Sequence, residues 1–163
     1  MKETDIKSIL KEIAAELQQR KYFLAAAESC SGGKIAELIT SLPGASQWFA
    51  GSLVTYSNEW KKEFLGVKEE TLANFGAVSS ETVTEMLQGI MNKAGISAAL
   101  AVSGIAGPSG AVPGKPVGTV FIGAAIKGKM LVKRWQFSGS RAEIQNDSVK
   151  AAIKMLAELL KSS

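Results

Sequence analysis

Apolar runs and helical stripes alternate along this chain, and that alternation limits its fold more than any other feature. Ile6, Ile9, Leu10, Ile13 and Leu17 fall at helical spacing with charges between them, which predicts an amphipathic helix over 4–19. Tyr22 to Ala27 is a short apolar run that reads as a buried strand, and helical spacing resumes over 33–41 through Ile35, Leu38 and Ile39. A strand is expected over 49–56 and helices over 58–65 and 68–75. A further helix is expected over 80–94, where Val83, Met86, Leu87, Ile90 and Met91 form a stripe behind the capping hydroxyls of Ser79 and Ser80. Residues 97–103 read as another buried strand. Val117–Ile126 and Met130–Phe137 read as two strands about a Lys127-Gly128-Lys129 turn. Ser140 with Glu143 matches a capping box that opens a last helix to about Lys161. Strand and helix alternate first and a hairpin comes late. The expected fold is a three-layer α/β/α domain with a mixed, mostly parallel sheet and a late β-hairpin. With no linker, repeat or low-complexity stretch, a single domain over 1–163 is expected.

Composition narrows the chemistry. Histidine is absent, which excludes a Ser-His-Asp or Cys-His triad and any His-ligated metal. The single cysteine, Cys30, makes neither an internal disulfide nor a Cys-rich zinc site. No metal and no cofactor are expected. The basic residues are scattered, and the net charge of +4 leans only weakly toward anionic partners, so nucleic-acid binding is not expected. No apolar run reaches the roughly 18–20 residues that span a bilayer. The charged start, Met1 to Lys11, lacks a signal-peptide core, so a cytoplasmic protein is expected.

Ligand sites in open α/β sheets gather beyond the carboxyl ends of strands, and three polar loops here follow apolar strands. The first holds Ser29, Cys30 and Ser31 before a helix, with the N–H groups of Gly32 and Gly33 expected free to meet an anion or oxyanion. Ser29 or Ser31 could be a nucleophile, or either could simply cap the helix. Cys30 reads as a small buried apolar residue before it reads as a thiolate. The second loop, Tyr56 to Lys61, includes Asn58 and a lysine able to act as base if burial lowers its pKa toward neutrality. The third, Ser103-Gly104-Ile105-Ala106-Gly107, brings backbone close to a ligand without matching a P-loop or a dinucleotide fingerprint. Ser31-Gly32-Gly33-Lys34 fits the S-x-x-K element of penicillin-binding proteins, but S-D-N and K-T-G are missing. Trp48, Phe49 and Trp60 look exposed enough for an interface, although packing is the commoner fate of aromatics.

Taken in order, AESCSGG (27–33), GSLVTYSNEWKKEFLGV (51–67), GAVSSETV (76–83), SGIAGPSG (103–110), KPVGTV (115–120) and FSGSR (137–141) resemble the CinA C-terminal domain family, the nicotinamide mononucleotide amidohydrolases. The resemblance spans essentially the whole chain. It implies hydrolysis of the carboxamide of nicotinamide mononucleotide to nicotinic acid mononucleotide and ammonia. Ser29 would be the nucleophile, Lys61 its base and Tyr56 close by, a mechanism that needs neither histidine nor metal. N–H groups near Ser31, Gly32 and Gly33 would hold the oxyanion. Asn58, Ser103, Gly104, Ala106, Gly107 and Arg141 are candidates for contacting the substrate, with Arg141 suited to phosphate. The resemblance also implies a homodimer or higher assembly and the form without the molybdopterin-binding-like domain that many relatives carry. This chain has Ser31 where the family commonly has Thr, Ser140 where it has Asp, Gln145 where it has Arg, and Gly110-Ala111 where it has two glycines. The changes at 140 and 145 motivate an alternative: a non-catalytic, nucleotide-binding, competence-associated protein on the same fold.

Overall fold

The structure is a computed structural model, and residues 3–163 are described. Its elements in chain order are α1 (Glu3–Arg20), β1 (Leu24–Glu28), α2 (Lys34–Thr40), β2 (Phe49–Val54), α3 (Asn58–Leu65), α4 (Glu69–Phe75) and α5 (Ser80–Ala94), then β3 (Ala98–Gly104), β4 (Thr119–Ile126), β5 (Lys129–Gln136) and α6 (Arg141–Lys161). A short 3-10 turn, Ala45–Gln47, precedes β2.

The strands form one five-stranded sheet in the order β2-β1-β3-β4-β5. β1 pairs in parallel with β2 and β3, whereas β3/β4 and β4/β5 are antiparallel, so β4 alone opposes the common direction. Side chains alternate across the strands. Leu24, Ala26, Leu100, Val102 and Ile122 join a core with α1, α2 and α6 on one face. Ala25, Ala27, Ala99, Ala101 and Phe121 meet α5 and the end of α3 on the other. These are the three expected layers. The stripe Ile6, Leu10, Ile13 and Leu17 is the buried face of α1, and Val83, Met86, Leu87 and Ile90 that of α5.

Local signals account for most boundaries. Ser57, Ser79 and Ser140 are the N-caps of α3, α5 and α6, each accepting a hydrogen bond from an N–H three residues on. Lys127 and Gly128 close the β4–β5 hairpin between the paired Ile126 and Lys129. Trp48 and Phe49 follow the commoner fate of aromatics and are buried in the core, while Trp60 is 53% exposed. The reason is periodicity. Trp48 and Phe49 lead into a strand packed under a helix, and Trp60 sits on the outward face of α3. No helix among the described residues is long and apolar enough to cross a membrane.

Helix α5 lies close to α3 because Gly89 presents no side chain there. A Cβ at Gly89 would sit 1.9 Å from the Leu65 carbonyl oxygen, which is backbone and cannot swing aside. Gly89→Ala is therefore expected to lower stability by about 1–3 kcal/mol, read from urea unfolding, despite alanine's better helix propensity.

Candidate active site

Strands β1, β2 and β3 end on the same side of the sheet, and their loops meet there. Ser29 follows β1 directly, and its N–H donates to the Val102 carbonyl of β3 at 3.0 Å. The chain then turns tightly. Gly32 and Gly33 adopt positive φ of +58° and +98°, and the Gly32 N–H donates to the Ser29 carbonyl at 3.0 Å. The Gly32 amide, expected to be free for an oxyanion, is thus spent on closing the turn. The Gly33 N–H has no hydrogen-bond partner among the described residues.

Neither Ser29 nor Ser31 caps α2; the cap position is Gly33, and it offers no side chain. The orphan amides are met by Glu28 instead. Its fully buried carboxylate accepts from the Ile35 and Ala36 N–H groups at 2.9 and 3.3 Å, from the Ser31 hydroxyl at 2.8 Å and from the Ser52 hydroxyl of β2 at 2.7 Å. Ser31 is therefore turned inward, bonded to Glu28, and does not line the cavity beside Ser29. Lys34 faces a separate groove between α1, α2 and α6, so Ser31 and Lys34 do not make the S-x-x-K pairing.

Lys61 reaches Ser29 from α3. With Leu65 it forms the inward face of that short helix, and it is only 1% exposed. Its Nζ donates to the Thr55 carbonyl at 2.9 Å, to the Tyr56 carbonyl at 3.1 Å and to the Ser29 Oγ at 3.1 Å. No carboxylate pairs with it among the described residues. Burial pulls its ammonium down from the usual 10.5 to about 8. An ammonium satisfies all three acceptors. A neutral amine has two N–H groups and one lone pair. With the two carbonyls holding the N–H groups, the lone pair faces the Ser29 hydroxyl, which then donates to it.

Ser29 and Lys61 border a cavity of about 260 Å³. Tyr56, Asn58, Ser103, Gly104, Ala106 and Arg141 also line it, so most of the residues expected at a site are brought together. Gly107 is set back: its carbonyl accepts from the Arg141 Nη1 at 2.8 Å, and a Cβ there would lie 2.4 Å from a Val117 methyl. The Arg141 Nη2 donates to the Tyr56 hydroxyl at 3.2 Å, placing both side chains at the mouth. The Ser103 hydroxyl faces away toward the Ala77 carbonyl, donating to it at 2.8 Å, and so ties the loop after α4 to the rim. No acidic side chain lines the cavity, whose cationic groups are Lys61 and Arg141.

Some of the site carried little sequence signal. Ala77 and Val78 contribute wall without polar chemistry. Glu28, the acid that ends β1, lies six residues before α2, a spacing at which no local rule marks it as the acceptor for the helix amides. Gln145 lies one turn after Arg141 on α6 and donates from Nε2 to the Cys30 carbonyl at 2.9 Å.

The CinA C-terminal domain family description matches residues 6–160. This chain belongs to that family. It is 44% identical over 162 residues to the nicotinamide-nucleotide amidohydrolase PncC of Enterobacter agglomerans, covering 99% of this chain and 97% of that protein. It is 49% identical over 144 residues to a CinA-like protein of Endomicrobium trichonymphae, covering 88% of this chain and 34% of the relative. The corresponding figures for a CinA-like protein of Thermotoga maritima are 46% over 145 residues, 89% and 35%. The chain thus spans about a third of the length of those CinA-like relatives. A crystal structure of a CinA superfamily protein from Klebsiella pneumoniae superposes with a TM-score of 0.92 at 34% identity, covering 97% of this chain and 99% of that one. The competence/damage inducible protein CihA of Agrobacterium tumefaciens gives 0.91 at 36%, with 96% of each chain covered.

Cys30, the residue between the two serines, is chemically quiet. It is 4% exposed, and burial pushes its thiol up from 9.0 to about 12, so it stays protonated near neutral pH. Iodoacetamide at pH 7.5 is expected to leave Cys30 unmodified in the folded protein and to alkylate it once urea unfolds the chain, read by intact-mass spectrometry.

Proposed function

We propose that this chain hydrolyses the carboxamide of nicotinamide mononucleotide, giving nicotinic acid mononucleotide and ammonia, with Ser29 as nucleophile and Lys61 as base. The observation that carries this reading is the 3.1 Å approach of a buried, carboxylate-free lysine to a serine at the end of a parallel strand. The full-length similarity to a nicotinamide-nucleotide amidohydrolase supports the substrate. So does the absence of acidic residues from the cavity wall, with Arg141 at the mouth to meet a phosphate.

In the proposed sequence, neutral Lys61 takes the hydroxyl proton as Ser29 Oγ attacks the carboxamide carbon. The Gly33 N–H, left without a partner by the turn, is the candidate donor to the oxyanion. Collapse of the tetrahedral adduct breaks the C–N bond, and the ammonium of Lys61 returns its proton to the departing amine. Water repeats the attack on the acyl-serine, again losing a proton to Lys61. Collapse breaks the C–Oγ bond, Lys61 gives that proton to the departing Ser29 Oγ, and the acid leaves as carboxylate after losing its own proton to solvent. The Thr55 and Tyr56 carbonyls hold the lysine head throughout. Tyr56 and Arg141 are bonded to one another at the rim, where both can meet the substrate.

Ser29→Ala and Lys61→Ala are each expected to lower ammonia release from nicotinamide mononucleotide by about 10²–10⁴-fold while far-UV circular dichroism is unchanged. Wild-type turnover in either variant would overturn the assigned roles. The pH dependence carries a definite sign. The reactive form is the neutral amine, so kcat/KM should rise with pH up to a midpoint near 8, the value to which burial brings Lys61. Below that midpoint the rate should fall about tenfold per pH unit. A profile flat between pH 6 and 9 would contradict lysine as the base.

A further inference from the structure

The dyad needs a scaffold that sets one distance, Ser29 Oγ to Lys61 Nζ, from two separate loops. Ser29 sits on the turn after β1, while the carbonyls that hold Lys61 belong to Thr55 and Tyr56, just beyond β2. One residue bonds to both pieces. The Glu28 carboxylate grips the turn through the Ser31 hydroxyl and the first amides of α2, and grips β2 through the Ser52 hydroxyl. Its backbone carbonyl accepts from the Thr55 N–H at 2.8 Å, the residue whose own carbonyl receives Lys61. Glu28 does not line the cavity and has no ion-pair partner among the described residues.

We infer that Glu28 is a positioning residue, whose buried carboxylate locks the Ser29 turn to β2 and thereby holds the nucleophile at the working distance from its base. The inference rests on the reading of Ser29 and Lys61 given under Proposed function. A carboxylate suits the post because it accepts in all four directions, and the four groups around it are all able to donate. An amide at the same place offers an NH₂ where acceptors are needed, toward the Ala36 N–H and the Ser52 hydroxyl. The hydroxyl could turn away, but the helix amide could not, and the turn would relax away from its place.

The test uses the full chain as wild type, Glu28→Gln, Ser31→Ala and Ser31→Thr. Two rates are measured: steady-state ammonia release from nicotinamide mononucleotide, and modification of Ser29 by a small fluorophosphonate, located by mass spectrometry. Urea midpoints show that each variant is folded under assay conditions. Glu28→Gln is expected to lower kcat by about 10²-fold and leave KM within about threefold, as a misplaced nucleophile does, and to slow fluorophosphonate labelling in parallel. Ser31→Ala, which deletes one of the bonds to the carboxylate, should lose about tenfold in both rates. Ser31→Thr, which keeps the hydroxyl, should recover most of that loss. If Glu28→Gln does not fold, the Ser31 pair decides. Folded variants labelled at the wild-type rate overturn the inference, as does a raised KM with unchanged kcat. A wild type that is labelled at Ser29 yet releases no ammonia refutes the substrate alone, and labelling then still decides the role of Glu28. A wild type that shows neither reaction overturns the dyad and this inference together.

Discussion

A lysine buried without a carboxylate is the constraint around which the site is built. Desolvation disfavours its charge, and two backbone carbonyls, rather than an anion, receive its N–H groups. A carboxylate partner would stabilise the ammonium and remove the lone pair that a base requires. Carbonyls orient the head while leaving it able to lose its proton. The arrangement depends on α3 starting where it does. The Ser57 cap begins the helix so that Lys61 falls on the same inward face as Leu65. The Lys61 amide also donates to the Ser57 carbonyl at 3.1 Å, which closes the first turn under the side chain.

Helix α6 completes the site from the far end of the chain. Arg141 and Gln145 lie one turn apart on the same face. The first spans from the Gly107 carbonyl to the Tyr56 hydroxyl, and the second holds the Cys30 carbonyl within the nucleophile turn. Three loops that follow three different strands are therefore connected through two side chains. Two of the residues noted as departing from the expected family pattern, Ser140 and Gln145, sit here and both have definite structural work. Ser140 caps the helix, and Gln145 supplies a neutral donor to a backbone oxygen. A neutral amide is sufficient for that contact and adds no charge beside the cavity.

The layers and most element boundaries were legible because they follow from periodicity and capping, which are local. The stripe on α1, the serine caps of α3, α5 and α6 and the hairpin at Lys127-Gly128 needed no knowledge of the tertiary structure. The three loops at the strand ends were legible for the same reason. The internal arrangement of the first loop was not. Serine before a helix suggests a cap, yet here a glutamate earlier in the chain takes the amides and Ser31 becomes one of its donors. That outcome depends on Ser52 and β2 arriving beside β1, a pairing no local pattern announces. The packing expected of Trp48 and Phe49 was met, but that Trp60 stays outside depends on which face of α3 turns inward. Assigning Ser29 over Ser31 rested on the resemblance, and Ser29 is the serine that Lys61 touches.

The position of β2 has a thermal consequence. It is an edge strand, paired on one side only, and the Thr55–Tyr56 segment that holds the lysine head continues directly from it. Edges open at lower free-energy cost than the centre of a sheet. Warming that loosens the end of β2 would withdraw the carbonyls from Lys61 while β1, β3 and β4 stay paired. Heat inactivation of this protein should thus begin at the border of the sheet, where the lysine's carbonyls are held.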